Sequence, residues 1–157
     1  MALPYDPVFD AIREYLGYTD LETGEWVPGN WDASLAPLVY ENDSDGPPTG
    51  EVSNWVLVVL DSTLYGQQSI GAGEDQAANR WDEDGTLWFH VFTPRGSGSR
   101  EARRIAKGLA NMFRGATMLN GRLEFMDADM GASDPGKENA NYYLRSVSID
   151  WRVIDAE

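Results

Sequence analysis

The chain has 157 residues, 42% of them hydrophobic and 11% aromatic, which suits one folded domain with a real core and excludes a disordered tail. Its 26 acidic residues outnumber 12 basic ones, and the net charge of −14 disfavours nucleic acid and anionic membranes as partners. There is no cysteine, so disulfides and thiolate metal sites are excluded, and the longest apolar run, WVLVVL at 55–60, is far too short for a membrane span.

The N-terminus, MALPYDPVFD, has no basic start and no apolar signal core, so the expectation is a soluble protein that stays inside the cell. A short helix comes first. Asp6 is placed to cap it, Pro7 suits the first helical position, and Val8, Phe9, Ile12, Tyr15 and Leu16 recur at helical spacing up to a stop at Gly17. Residues 18–37 read as irregular, marked by Trp26, Pro28 and Trp31. Leu38 to Glu41 is a short strand before the turn-rich NDSDGPPTG. Trp55 to Asp61 reads as a central strand buried on both faces. Residues 62–85, rich in glycine and acids, read as a long connection before the strand TLWFHVFT at 86–93.

The next helix runs from about Ser99 to Phe113. Ala102, Ile105, Ala106, Leu109, Met112 and Phe113 share one face, and Gly115 closes it. A strand follows at Arg122 to Met126. In the last one, Tyr143 to Val153, the residues Val147, Ile149, Trp151 and Val153 alternate with Ser146, Ser148, Asp150 and Arg152. The expectation is a single α+β domain over 1–157. Its mostly antiparallel or mixed sheet has four to five strands, with two amphipathic helices packed on one face. The exceptions are the irregular excursion at 17–37 and the long connection at 62–85.

Candidate chemistry is sparse. FTPRGSGSREA at 92–102 has the order of parts of a phosphate loop, but it lacks the Lys-Ser or Lys-Thr ending and the third glycine of a dinucleotide fingerprint. It reads as a joint in which Ser97 or Ser99 caps the helix. The single histidine, His90, lies mid-strand with no second histidine or cysteine beside it. A hydrolase reading would need His90 exposed, with a carboxylate from 81–85 in reach. Acidic clusters at 42–46, 73–76, 81–85 and 126–134 lack the spacing of a calcium loop and read as solvated. No catalytic residue, cofactor or metal site is expected.

One constellation stands apart. Residues 95–114 hold Arg95, Arg100, Arg103, Arg104, Lys107 and Arg114, six of the 12 basic residues, against Glu101 alone. The segment is +5 in a chain of −14, which leaves −19 elsewhere. At about 100° per residue, all but Arg95 fall in a sector of roughly 100°, opposite the apolar stripe. Either this is a solvated face that balances nearby acids, or it docks an acidic partner, of which another copy of the chain is the nearest.

The landmarks together resemble the tail terminators of long-tailed phages, prophages and gene transfer agents. They are LVYEN and the nearby PP, WVLVVL, Arg80 and Gly85, LWFHVFTP, the helix GSGSREARRIAKGLANMFRG and the final amphipathic strand, over roughly 38–154. The block VFTPRGSGSREA…LANMFRG carries most of the likeness. The resemblance implies an α+β virion protein without catalysis, assembled in the host cytoplasm into a six-membered homo-oligomeric ring. The ring would end tail-tube polymerisation and provide the surface that joins the head. Its partners would be itself, the tube protein and a head-completion or connector protein, and DNA would pass through without specific binding. Another neck protein or a minor tube component is the alternative.

Overall fold

The computed structural model of the chain describes residues 6–41, 53–67, 81–131, 137–139 and 142–155. Helix α1 (Pro7–Leu16) begins as its sequence dictates. The Asp6 carboxylate accepts from the Phe9 N–H at 3.3 Å, Pro7 opens the first turn, and Gly17 leaves the helix at φ 103. Val8, Ile12 and Leu16 are buried. Arg13 fastens the helix from outside the core, its guanidinium 4.2 Å from the centre of the Tyr18 ring.

The stretch expected to be irregular contains a small ladder, β1 (Gly17–Thr19) against β2 (Trp26–Pro28), antiparallel. Two or three residues carry no periodicity, which is why the sequence did not announce these strands. Beyond them Trp31 is buried, and its indole N–H donates to the Ala36 carbonyl at 2.9 Å. The excursion therefore contributes to the core.

The main sheet contains β3 (Leu38–Tyr40), β4 (Trp55–Gln67), β5 (Trp81–Pro94), β6 (Thr117–Met118), β7 (Leu123–Asp129), β8 (Lys137–Asn139) and β9 (Tyr142–Asp155). Its order is β3-β4-β5-β9-β7-β6, with β8 also paired to β9. Among the described residues only β3 and β4 run parallel, and every other pair is antiparallel. The α+β class and the mixed sheet agree with expectation. The strand count does not: among the described residues the sheet has seven strands rather than four to five.

Residues 62–85 were expected to be a connection, yet both described ends are strand. β4 continues to Gln67 and β5 begins at Trp81, paired from Gln67↔Trp81 down to Ser62↔Gly85. The acids Asp82, Glu83 and Asp84 are poor strand formers, but pairing to Ile154, Val153 and Arg152 of β9 overrides local preference. Thr63 is left over as a bulge between Ser62 and Leu64. β4 is central only where β3 covers it: among the described residues no strand pairs with its outer side past Val58. Leu64 and Tyr65 on this open arm are 60% and 48% exposed.

Helix α2 (Arg100–Phe113) lies along the helix-side face of the sheet. Ala102, Ile105, Ala106, Leu109 and Phe113 are buried as their spacing predicts; Met112 is only half-buried, and Ala110 joins the buried set. The Phe113 ring meets Phe89 at 5.5 Å and Phe125 at 5.1 Å. Val56, Val58, Leu87, Phe89, Val91, Val147, Ile149 and Trp151 complete this core. α1 was expected to share the cover; its Val8, Ile12 and Leu16 join the same core, while α2 is the helix that lies against β5, β7 and β9. Phe9 sets its edge on Tyr40, and Tyr15 packs on Phe113 while its hydroxyl donates to the Met112 carbonyl.

The opposite face of the sheet is not uniformly wet. Trp55 is only 5% exposed there, because its ring stacks on Phe92 at 4.3 Å and 7°, with Tyr142 set edge-on at 6.2 Å.

Candidate assembly interface

The joint before α2 is built by glycine, not by serine caps. Gly96 and Gly98 both have positive φ, at 86 and 83, which reverses the chain between β5 and α2. Ser99 precedes the helix without a side-chain capping bond, and the Ser97 hydroxyl instead donates back to the Pro94 carbonyl at 2.6 Å. The expected serine cap is therefore absent. Ser97 sits on a turn that directs it toward the strand it has just left.

The basic residues stand where the helical spacing put them. Arg103, Arg104 and Lys107 are exposed on the side of α2 turned away from its buried stripe, and Arg100 is exposed at its first residue. Arg100, Arg103, Arg104 and Lys107 line one cleft of about 420 Å³ together with Met130 and Arg145. Lys107 and Arg114 line a neighbouring cleft of about 390 Å³, with Asp127 and Met130 among its other walls. Arg114 is held at the helix end by its Nε–H bond to the Asn111 side-chain oxygen at 3.0 Å. Arg95, in the turn, lines neither cleft.

Arg145 is the residue that sequence reasoning missed. It lies on β9 opposite Val91, in phase with the buried Val147 and Ile149. A cation at a core-phase position was the available signal. The sheet brings it beside a helix more than thirty residues earlier in the chain, which spacing along α2 cannot reveal.

Among the described residues of the chain this cluster has little to balance it. Arg100, Arg103, Arg104 and Lys107 make four like-charge pairs at i,i+3 and i,i+4, each unfavourable by about 0.2–0.5 kcal/mol. Against them stands the Glu101–Arg104 pair at 3.3 Å, exposed on both sides and so worth little. Among the described residues no ion pair involves Arg100, Arg103, Lys107 or Arg145. The arrangement is a concave cationic surface with Met130 as its apolar lining, suited to receiving carboxylates or other anions.

The remaining candidates are placed elsewhere. His90 is half-buried on the face opposite α2; its Nδ1 lies 2.7 Å from the Ser146 hydroxyl, and its ring stacks on Trp88 at 5.8 Å. The acids of 81–85 lie on β5, and Asp84 is bonded to Arg152 at 2.8 Å rather than directed to His90. The hydrolase arrangement of His90 with one of these acids therefore lacks its geometry. The acidic clusters at 42–46 and 73–76, and the end of 126–134, lie outside the described residues. Among the described residues no three acidic or histidine side chains converge on a point.

A family model described as phage tail terminator protein matches residues 25–151 of this chain. A solved structure with 19% sequence identity superposes with a TM-score of 0.59, covering 94% of this chain and 94% of that chain, a likeness of fold alone. No curated protein matches.

Proposed function

The chain belongs to the phage tail terminator family, matched over residues 25–151, and from that premise we propose that it closes into a ring on the end of the tail tube, stops tube polymerisation and presents the surface that joins the head. Its role is structural and its place is the virion tail. The ring reading rests on one observation: a cationic cleft lined by Arg100, Arg103, Arg104, Lys107 and Arg145 on a chain of net charge −14.

A closed ring of heterologous contacts requires two unlike surfaces on each subunit. The cationic side of α2 serves as one, with Arg95 and Arg114 flanking it. The acidic remainder of the chain supplies the other. That remainder also suits a channel in which DNA slides without sticking. Six copies complete the ring, which meets the tube protein on one side and a head-completion or connector protein on the other.

The test is the size of the purified protein by light scattering, together with electron-microscope images of it alone and with isolated tubes. Rings and capped tube ends are expected at low salt, with assembly weakening as salt rises and screens the contact. Arg103→Glu, Arg104→Glu and Lys107→Glu combined should keep the fold and weaken the ring. A ring no weaker after all three substitutions would remove α2 from the interface. Binding to the head portal instead of tube ends would make the protein a different part of the neck.

A further inference from the structure

The sheet separates two surfaces of opposite charge. On the helix side lies the cationic cleft. On the other side the strand register builds rows of carboxylates. Asp61 of β4 pairs with Thr86 of β5, and Thr86 pairs with Asp150 of β9, so two acids flank one threonine in a single cross-strand row. The Thr86 hydroxyl donates to Asp150 at 2.9 Å and holds that carboxylate in place. In the next row, Leu64, Asp84, Arg152 and Glu124 lie side by side across four strands. Asp129, opposite Ser148, adds another acid on the same face.

Arg152 is the one cation in these rows, and Asp84 engages it at 2.8 Å. Asp61, Glu124, Asp129 and Asp150 are exposed, and among the described residues none of them has an ion-pair partner. The cleft cannot reach them within one subunit, because the sheet stands between. The spans agree: two strand spacings, Asp61 to Asp150, come to about 10 Å, and seven helical residues, Arg100 to Lys107, rise about 10 Å.

We infer that the cationic cleft of one subunit receives the carboxylate rows on the outer sheet face of a second copy of this chain, with Asp61, Glu124 and Asp150 as the opposing charges. This rests on the ring reading above and assigns its second surface. The contact is heterologous, because the two patches lie on opposite sides of the molecule. It joins each copy to one neighbour through the helix and to the other through the sheet. Charge on both sides sets orientation, and Met130 in the cleft lining lets apolar contact follow once water is expelled.

The test uses two full-length variants. One reverses the helix, with Arg103→Glu, Arg104→Glu and Lys107→Glu. The other reverses the sheet, with Asp61→Arg, Glu124→Arg and Asp150→Arg. Each alone sets like charges against each other and should raise the half-assembly concentration at least about tenfold. An equimolar mixture should assemble again, because every contact in an alternating ring then joins opposite charges. Circular dichroism and thermal melts check that each variant folds. Should the sheet reversal unfold the chain, the neutral set Asp61→Asn, Glu124→Gln and Asp150→Asn should still weaken assembly measurably. A sheet-reversed protein that assembles like the wild type overturns this pairing and leaves the ring standing, as does a folded mixture that stays monomeric. A labelled DNA duplex that binds the wild-type cleft and competes with assembly also overturns it. A wild-type protein that remains monomeric at low salt, alone and with tubes, overturns the ring reading itself.

Discussion

Gly85 shows what a single hydrogen in place of a side chain does. A Cβ at that position would overlap the Asp61 carbonyl oxygen across the ladder and the buried Trp151 indole. A backbone oxygen in a paired strand cannot step aside, so Gly85→Ala must push β4 from β5 or displace the tryptophan. The expected loss is at least about 2 kcal/mol, read as a fall in melting temperature of about 4–8 °C for a chain of this size. Gly108 is the contrasting case. Its added Cβ would stand 3.4 Å from Trp31 Cζ3, an ordinary contact, inside a helix where glycine is the costly choice. Gly108→Ala should therefore stabilise the fold by about 0.5–1 kcal/mol. A lower melting temperature in that variant would show that Trp31 packs against α2 more tightly than this spacing indicates.

At the level of elements, the sequence was most legible where one periodicity ran long. The stripe Ala102, Ile105, Ala106, Leu109 and Phe113 is buried as a unit, and the alternation of Val147, Ile149, Trp151 and Val153 names the core face of β9. The cap at Asp6 was equally readable, because it depends on four neighbouring residues. Elements created by distant pairing were not. The first residues of β5, Trp81 to Gly85, look like an acidic loop until β9 arrives beside them from some seventy residues later in the chain. The short strands β1, β2, β6 and β8 present two or three residues each, below the length at which alternation means anything. The residues of the proposed contact divide in the same way. The cations of α2 were legible from helical spacing, whereas Arg145 and the acidic rows required the sheet register.

On the scale of the whole molecule, a net charge of −14 is distributed unevenly, with Arg100, Arg103, Arg104, Lys107 and Arg145 gathered on one side of the sheet. Self-repulsion between the acidic bodies should keep subunits apart in solution until the complementary sides meet, so assembly is governed by orientation as much as by concentration. The open side of β4 bears on the same problem. Past Leu60, whose N–H is taken by the Glu41 carboxylate, no described strand covers its outer backbone donors and acceptors, which offer a template for endless strand addition. Thr63 interrupts that template with its bulge, and Asp61 places a charge beside it. Deleting Thr63 should straighten the rail and promote fibres that bind thioflavin T; an unchanged signal would show that the kink is no safeguard. In a family named for tail termination, that one surplus residue would keep this chain from seeding an unwanted polymer of its own.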